Sequence, residues 1–245
     1  MNALDRYFDN LTDLLASIRK SQGPAMEKAA RAMADCLAGG GLVYTFGTGH
    51  GHLLALEIFY RAGGPAGVRP ILDERLMLHK SAAGSTLWER DEALAAKLLE
   101  RYPVGRGDVL LVMSNSGRNA VPVLLARGAR ERGAVVVALT SMAHTSAVTP
   151  RNRENLRLFE TADVVLDNGG VLGDAAISFP GGGMTGATST AVGAAMLQAI
   201  VCRARELMEQ SGAPADFFRS SNVDGGDEIN ERLVKAYAAR IPGLE

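Results

Sequence analysis

The stretch Val109-Leu-Leu-Val-Met-Ser-Asn-Ser-Gly-Arg-Asn119 decides the predicted fold. Its first five residues form a continuous apolar run, which is typical of a strand buried on both faces of a parallel sheet. Polar residues and a glycine follow at once, and a helical pattern then extends to about Arg132. A strand that leads through a polar turn into a helix is the repeating unit of an α/β fold.

Four other segments have the apolar composition of buried strands, and helical patterns separate them. These segments are residues 42–46, 68–72, 134–139 and 163–166. Because buried strands that alternate with helices build parallel sheets, we expect an α/β three-layer sandwich with about five parallel strands. A long helix over about residues 187–209 is expected to follow the sheet.

Helical periodicity also marks both ends of the chain. Apolar residues recur at spacings of four and three over about residues 2–20; they are Leu4, Phe8, Leu11, Leu15 and Ile18. This stripe packs either within its own subunit or against another subunit. We expect a single domain, residues 1–245, with an N-terminal helical extension (1–40), an α/β core (41–210) and a C-terminal loop and helix (211–245).

Composition excludes several classes of protein. The 245 residues include 26 Lys and Arg against 27 Asp and Glu, and 5% are aromatic, so we expect no nucleic-acid partner. The longest apolar stretch, residues 192–202, is too short to cross a bilayer, and we expect no membrane partner. Because the chain has two cysteines and an N-terminus unlike a signal peptide, we expect a cytoplasmic location.

The polar turn Ser114-Asn-Ser-Gly-Arg-Asn119 predicts a phosphate site. Ligands of an open parallel sheet bind beyond the carboxyl ends of its strands, where this turn would lie. Its hydroxyls and backbone N–H groups would meet at the positive end of the next helix, and Arg118 would add a positive charge. The alternative is an ordinary helix N-cap that uses Ser116 alone.

A second glycine-rich turn, Gly47-Thr-Gly-His-Gly-His52, follows the first strand. The dinucleotide-binding pattern requires a third glycine where this chain has His52, although Asp73 stands where a ribose-binding acid is expected. His50, His52 and His79 offer imidazoles to a zinc ion, but no dense group of further ligands accompanies them. We therefore expect no metal and no cofactor.

Two glutamates are candidates for acid–base catalysis. Glu57 shares a helical face with His50 and Leu53, and a carboxylate on such a largely apolar face is costly to bury without a role. Glu89 follows Trp88, whose indole would partly shield the carboxyl group from water. Near a phosphate site, the two residues are candidates for a general acid and a general base.

These motifs resemble the SIS (sugar isomerase) domain family. The strand, the turn at residues 114–119 and the next helix resemble its signature loop, and residues 134–141 resemble the strand that follows. Patterns similar to those of a single-domain bacterial subgroup cover nearly the whole chain: Gly47-Thr-Gly-His50, Tyr60-Arg-Ala-Gly-Gly64, Leu87-Trp-Glu-Arg90, Asp163-Val-Val-Leu-Asp167, Gly173-Asp-Ala175 and Ser221-Asn-Val-Asp-Gly-Gly226. The resemblance implies a flavodoxin-like SIS fold.

Because members of this family bind phosphosugars, the resemblance implies a phosphosugar ligand here. It implies substrate-binding residues in three turns: Thr48, Gly49, His50, Ser114, Asn115, Ser116, Gly117, Arg118, Asn119, Thr140 and Ser141. The commonest family pattern has Thr in place of Asn119. The resemblance also implies a homodimer or homotetramer, in which the polar residues 221–224 would contribute to a neighbour's site.

Relatives within the family imply two reactions. Phosphoheptose isomerase moves a carbonyl between C1 and C2. N-acetylmuramic acid 6-phosphate etherase uses two glutamates, at a spacing similar to the 32 residues between Glu57 and Glu89, for elimination across C2–C3. N-acetylglucosamine 6-phosphate dehydratase performs the analogous loss of water.

Both reactions begin with removal of the C2 proton, for which we assign Glu89 as base and Glu57 as acid, or the reverse. His50 or His79 would donate a hydrogen bond to the developing enolate. An aldose–ketose isomerase is the first hypothesis, a lyase acting on an N-acetylhexosamine 6-phosphate is the second, and a non-catalytic phosphosugar sensor is the third.

Overall fold

The computed structural model describes all residues from 1 to 245. A sheet of five strands lies at its centre: β1 (Val43–Gly47), β2 (Val68–Pro70), β3 (Val109–Met113), β4 (Val135–Thr140) and β5 (Val164–Asp167). The strand order is β2-β1-β3-β4-β5, and every neighbouring pair is parallel. This is the flavodoxin-like order. The prediction of a five-stranded parallel sheet in an α/β fold is confirmed.

Nine α-helices, two short 3₁₀ helices and one hairpin complete the chain. The helices are α1 (Ala3–Ser21), α2 (Gly23–Ala38), α3 (Gly51–Glu57), α4 (Ala82–Trp88), α5 (Glu92–Arg101), α6 (Ala120–Glu131), α7 (Met142–Ser146), α8 (Ser189–Ser211) and α9 (Gly226–Tyr237). Strands β6 (Ala175–Ser178) and β7 (Met184–Ala187) pair antiparallel. No helix combines the length and the apolar character that a membrane crossing requires.

The continuous apolar run of β3 is explained by burial on both faces of the sheet. Side chains of a strand alternate between the two faces. Leu110 and Val112 belong to an apolar cluster with α5, α6 and α9, whereas Val109, Leu111 and Met113 belong to a second cluster with α2, α3 and α8. The helices therefore cover the sheet on both sides and form the outer layers of the sandwich.

The two N-terminal helices differ in how they pack. α2 buries Ala30 and Met33 in the second apolar cluster and packs against α8, so it is part of an outer layer. In α1, Ile18 is buried, but Leu4 and Phe8 are 65% and 59% exposed. The predicted apolar stripe therefore packs within the subunit only toward the C-terminal end of α1.

Two regions differ from the sequence predictions. The helix after the first glycine-rich turn ends at Glu57 rather than near residue 62, and Tyr60 then adopts a left-handed φ of 45°, which a helix does not tolerate. The hairpin β6–β7 is not predicted, because its strands have four residues each and are largely exposed. Such strands lack the apolar signal that marks the strands of the central sheet.

Gly47 gives a test of how closely β1 approaches α3. A Cβ atom added at Gly47 would overlap the backbone carbonyl oxygen of Gly51, which cannot move without displacing α3. We expect Gly47→Ala to lower the free energy of unfolding by about 2 kcal/mol or more, as overpacking does. Urea denaturation measures this change. Gly23→Ala is the control, since nothing lies within 4 Å of its added Cβ. Equal denaturation midpoints for both variants would contradict the close approach.

Candidate functional site

A polar cavity of about 250 Å³ lies beyond the carboxyl ends of β1 and β3. In the order β2-β1-β3-β4-β5 these two strands are neighbours at the topological switch point, where ligands of doubly wound sheets bind. Most of the lining residues are polar. They are Thr48, His50, Gly51, Leu54, Glu89, Met113, Ser114, Asn115, Ser116, Leu139, His144, Asn168, Asp174, Ser189 and Thr190.

The turn between β3 and α6 forms one wall of this cavity. Gly117 has a φ of 55°, and an added Cβ would lie 3.1 Å from Thr145 Oγ1 and 3.2 Å from Leu158 Cβ. Glycine therefore suits this position for both backbone conformation and space. Its N–H donates to Ser114 Oγ at 3.3 Å, which closes the turn while Ser114 and Ser116 line the cavity.

Thr140 and Ser141 support this turn from behind. Thr140 Oγ1 and the Ser141 N–H both donate to the carbonyl of Asn115, at 3.1 and 3.2 Å. Ser141 Oγ donates to the Gly170 carbonyl. Both residues are fully buried and neither lines the cavity. Their observed contacts position the turn.

Ser116 is not the N-cap of α6. Asn119 occupies that position, without a side-chain capping bond, so the interpretation of the turn as a plain Ser116 cap is wrong. Asn119 is buried, its Oδ1 has no partner, and it lies outside the cavity lining. The Arg118 guanidinium also lies outside the lining and donates to Thr149 Oγ1 at 3.1 Å.

Two amide side chains meet at the cavity wall. Asn168 Nδ2 donates to Asn115 Oδ1 at 2.8 Å, and the Gly170 N–H donates to Asn168 Oδ1 at 2.9 Å. These bonds orient Asn115 and leave its Nδ2 buried without a partner. Since an unpaired buried donor costs stability, this amide is a candidate ligand contact.

Glu89 is held beside the turn that follows β3. It directly follows α4, and its backbone carbonyl accepts the Val121 N–H of α6 at 3.0 Å. Thr48 Oγ1 donates to Glu89 Oε1 at 2.7 Å. The structure gives Oε2 no protein donor, so one oxygen of this carboxylate is free to take a proton from a ligand.

Glu57 lies outside the cavity, which corrects its predicted pairing with Glu89 within one subunit. Its carboxylate pairs with Arg61 at 3.4 Å and accepts a hydrogen bond from Gln198 Nε2 at 3.0 Å. His50 and Glu57 do share a helical face, as predicted. However, seven residues advance the helix by roughly 10 Å, and this rise carries Glu57 away from the cavity.

Only some residues of the first glycine-rich turn line the cavity. His50 lines the cavity, whereas Gly49 shapes the turn with a φ of 55° and donates to the Leu76 carbonyl. His79 is exposed and lies outside the cavity lining. Burial lowers the pKa of His52, and the charge of the nearby His79 lowers it further. No three His, Cys, Asp or Glu side chains form a group that could hold a metal ion.

Asp73 does not face the cavity. Its carboxylate accepts two hydrogen bonds from the Arg75 guanidinium, at 2.8 and 2.7 Å. This contact holds the pKa of Asp73 below its usual value. The carboxylate is therefore engaged by Arg75 rather than available to a ribose.

Asp174, Ser189 and Thr190 line the cavity but are not predicted from the sequence. Asp174 accepts the N–H groups of Thr188 and Ser189, at 3.2 and 2.9 Å, as well as the Ser189 hydroxyl. These bonds cap the start of α8 and bring the positive end of that helix to the cavity. The Asp174 carboxylate is committed to this role.

His144 is a further lining residue that the sequence does not predict. Its backbone N–H donates to Ser141 Oγ at the start of α7, and its Nδ1 is buried without a partner. Burial lowers the pKa of His144; the charge of Asp174 raises it and that of Arg118 lowers it further. The cavity thus holds a neutral imidazole near pH 7, which can accept or relay a proton.

The chain is similar to known proteins over most of its length. A family model described as SIS domain matches residues 6–141. A UPF0309 protein of Geobacillus thermodenitrificans is 38% identical over 242 residues, which are 98% of this chain and 97% of that protein. Two solved structures have a similar fold. A phosphoheptose isomerase from Francisella tularensis gives a TM-score of 0.54 at 17% identity, covering 84% of this chain and 100% of its own. One from Neisseria gonorrhoeae gives 0.53 at 18% identity, covering 83% and 97%.

The lowered pKa of His144 can be measured directly. We expect NMR titration of the four histidine rings to give His144 a pKa below its ordinary value of 6.5. Because the unfolded chain binds this proton more readily, the free energy of unfolding should fall as the pH drops below 6.5. His144→Gln assigns the resonance and should weaken that pH dependence. A pKa at or above 6.5 would contradict the buried environment.

Proposed function

The chain belongs to the SIS domain family, and we propose that it is an enzyme that binds a sugar phosphate in this cavity and interconverts its aldose and ketose forms. The catalytic step is removal of the C2 proton by Glu89. The observation that carries this proposal is the position of Glu89, a carboxylate with one unbonded oxygen at the wall of a cavity rich in hydroxyl groups.

The phosphate group fits the turn between β3 and α6. Ser114 and Ser116 present hydroxyls to the cavity, and Asn115 Nδ2 is an unpartnered donor beside them. The start of α8, with Ser189 and Thr190, supplies further donors and the positive end of a helix. Such a set of neutral donors and a helix terminus stabilises a phosphate dianion.

Proton transfer requires a base beside C2 and a second group that moves protons between the C1 and C2 oxygens. In the proposed reaction, Glu89 removes the C2 proton of the open-chain aldose and leaves an enediolate. A histidine of the cavity, His144 or His50, moves a proton between the two oxygens. Glu89 then returns its proton to C1, which gives the ketose.

The positions of Glu57 and Asp174 favour isomerisation over elimination. Elimination needs an acid that protonates the departing C3 oxygen. Glu57 lies outside the cavity, and the Asp174 carboxylate already accepts three hydrogen bonds from the start of α8. A single carboxylate base together with a histidine matches the needs of an aldose–ketose isomerase.

We further propose that the enzyme works as a homodimer or homotetramer. Leu53 and Leu56 of α3 are 52% and 37% exposed, next to the cavity residues of the same helix, and Leu4 and Phe8 of α1 are also exposed. Exposed apolar side chains of this size on a helix suit contact with a second subunit.

We also propose a cytoplasmic location, which suits the two free cysteines, of which Cys202 is exposed.

Deuterium exchange tests the role of Glu89. In deuterated water, proton NMR of a panel that includes N-acetylglucosamine 6-phosphate and sedoheptulose 7-phosphate should reveal C2 exchange and an aldose–ketose pair for the substrate. Glu89→Gln keeps the shape of the side chain but removes the base, so we expect exchange to slow by about 10²-fold or more. Glu74→Gln is the matched control, because the Glu74 side chain is 74% exposed and lies outside the cavity.

The same panel separates the competing hypotheses. Glu89→Gln should still bind the sugar phosphate, whereas Ser116→Ala should weaken binding roughly tenfold by removing a hydrogen bond to a charged group. An unsaturated product, with exchange lost equally in Glu57→Gln, would replace the isomerase by a lyase. Binding without exchange in the unmodified protein would leave only a sensor.

A further inference from the structure

A cluster of three arginines lies outside the cavity, on the outer side of the turn that follows β3. We propose that this arginine cluster, Arg90, Arg118 and Arg151, is a second anion site that takes a small phosphate-bearing ligand such as a diphosphate group. None of the three residues lines the cavity. The cluster therefore lies outside the lining of the proposed sugar-phosphate site, although the charge of Arg118 lowers the pKa of His144 in that lining.

Backbone hydrogen bonds hold Arg151 beside Arg118 and attach the residue before Arg90 to the start of α6. The Arg151 N–H donates to the Arg118 carbonyl at 2.7 Å, and Asn119 pairs with Arg151 in a short parallel bridge. The carbonyl of Glu89, the residue before Arg90, accepts a hydrogen bond at the start of α6. The Arg118 guanidinium donates to Thr149 Oγ1, two residues before Arg151. Burial and the positive charges of Arg151 and Arg90 lower the pKa of Arg118.

No carboxylate of this chain forms an ion pair with the cluster. Two neighbouring acids are paired elsewhere: Glu92 with Arg153 at 3.5 Å, and Glu154 with Arg127 and Arg153. Glu89 and Asp91, on either side of Arg90, accept hydrogen bonds from Thr48 and the Ala93 N–H and form no ion pair. The cluster thus carries three positive charges that the folded chain does not neutralise, and their mutual repulsion costs free energy unless an anion binds.

The guanidinium of Arg118 has unused hydrogen-bonding capacity. Its one protein acceptor is Thr149 Oγ1, and its Nε is buried without a partner. Arg90 and Arg151 donate no side-chain hydrogen bond to the protein. Guanidinium groups bind phosphate oxygens through paired N–H donors, so three of them match a group with several phosphate oxygens.

The surroundings favour a small ligand over an extended polyanion. Glu92 and Glu154 lie on the neighbouring surface, where they pair with Arg153. A nucleic-acid strand that crossed the cluster would meet these carboxylates, whereas a compact diphosphate would not. These ion-paired glutamates interrupt the positive surface beside the cluster.

Calorimetric titration with inorganic pyrophosphate at low salt tests the site. In a Ser116→Ala background, which weakens the cavity, we expect pyrophosphate binding to persist. Adding Arg90→Gln and Arg151→Gln should then weaken it by at least about tenfold, because bonds to charged groups are lost. Arg153→Gln is the matched control, since Arg153 lies two residues from Arg151 but is already ion-paired. It should bind pyrophosphate as the background does.

Three results would overturn the proposal. Binding that Ser116→Ala alone abolishes would mean that pyrophosphate enters only the cavity. Equal affinity with and without the arginine substitutions would exclude the cluster as the site. Tighter binding of a single-stranded oligonucleotide that depends on the same arginines would point to a nucleic acid instead. The single variant Arg151→Gln, checked by its thermal unfolding, serves if the double variant fails to fold.

Discussion

The turn between β3 and α6 is the constraint on which the rest of the site depends. Three of its backbone carbonyls accept hydrogen bonds from other parts of the chain: that of Asn115 from Thr140 and Ser141, that of Gly117 from the Leu158 N–H, and that of Arg118 from the Arg151 N–H. Because these bonds use backbone carbonyls, they leave the Ser116 hydroxyl and the Nδ2 of Asn115 available to a ligand. A loop held in this way pays little of its ordering cost when a ligand binds.

The same turn organises the chemistry on both of its sides. On the cavity side, the Glu89 carbonyl accepts a hydrogen bond from the first turn of α6. Thr48, which follows the neighbouring strand β1, donates a hydrogen bond to the Glu89 carboxylate. Strands β1 and β3 are neighbours in the sheet, so their loops are adjacent by topology. On the outer side, Arg118 is directed toward Thr149, away from the cavity lining.

The sequence predicted those features that arise from local pattern. Continuous apolar runs located the strands, since β3 has the predicted bounds Val109–Met113 and β4 differs by one residue at each end. The two polar turns were found because they must follow the strand ends. The pairing of Glu57 with Glu89 was not correctly predicted. Residues that share one face of α3 can still lie far apart along the helix axis, and the spacing does not show which of them reach the cavity.

His144 and Asp174 could not be located from the sequence because tertiary packing brings them to the cavity. His144 lies on a helix of five residues after β4, and a segment so short has no periodicity to read. Asp174 sits in the Gly173-Asp-Ala175 pattern, but only the fold brings its carboxylate to the start of α8, fifteen residues farther along the chain.

A crystal structure of the protein with a bound sugar phosphate shows directly whether the turn between β3 and α6 holds the phosphate and Glu89 contacts C2. We expect the phosphate within hydrogen-bonding distance of the Ser114 and Ser116 hydroxyls, with C2 of the open-chain sugar next to Glu89 Oε2. A sugar whose phosphate lies in the arginine cluster, or whose C2 lies beyond contact with Glu89, would contradict this expectation.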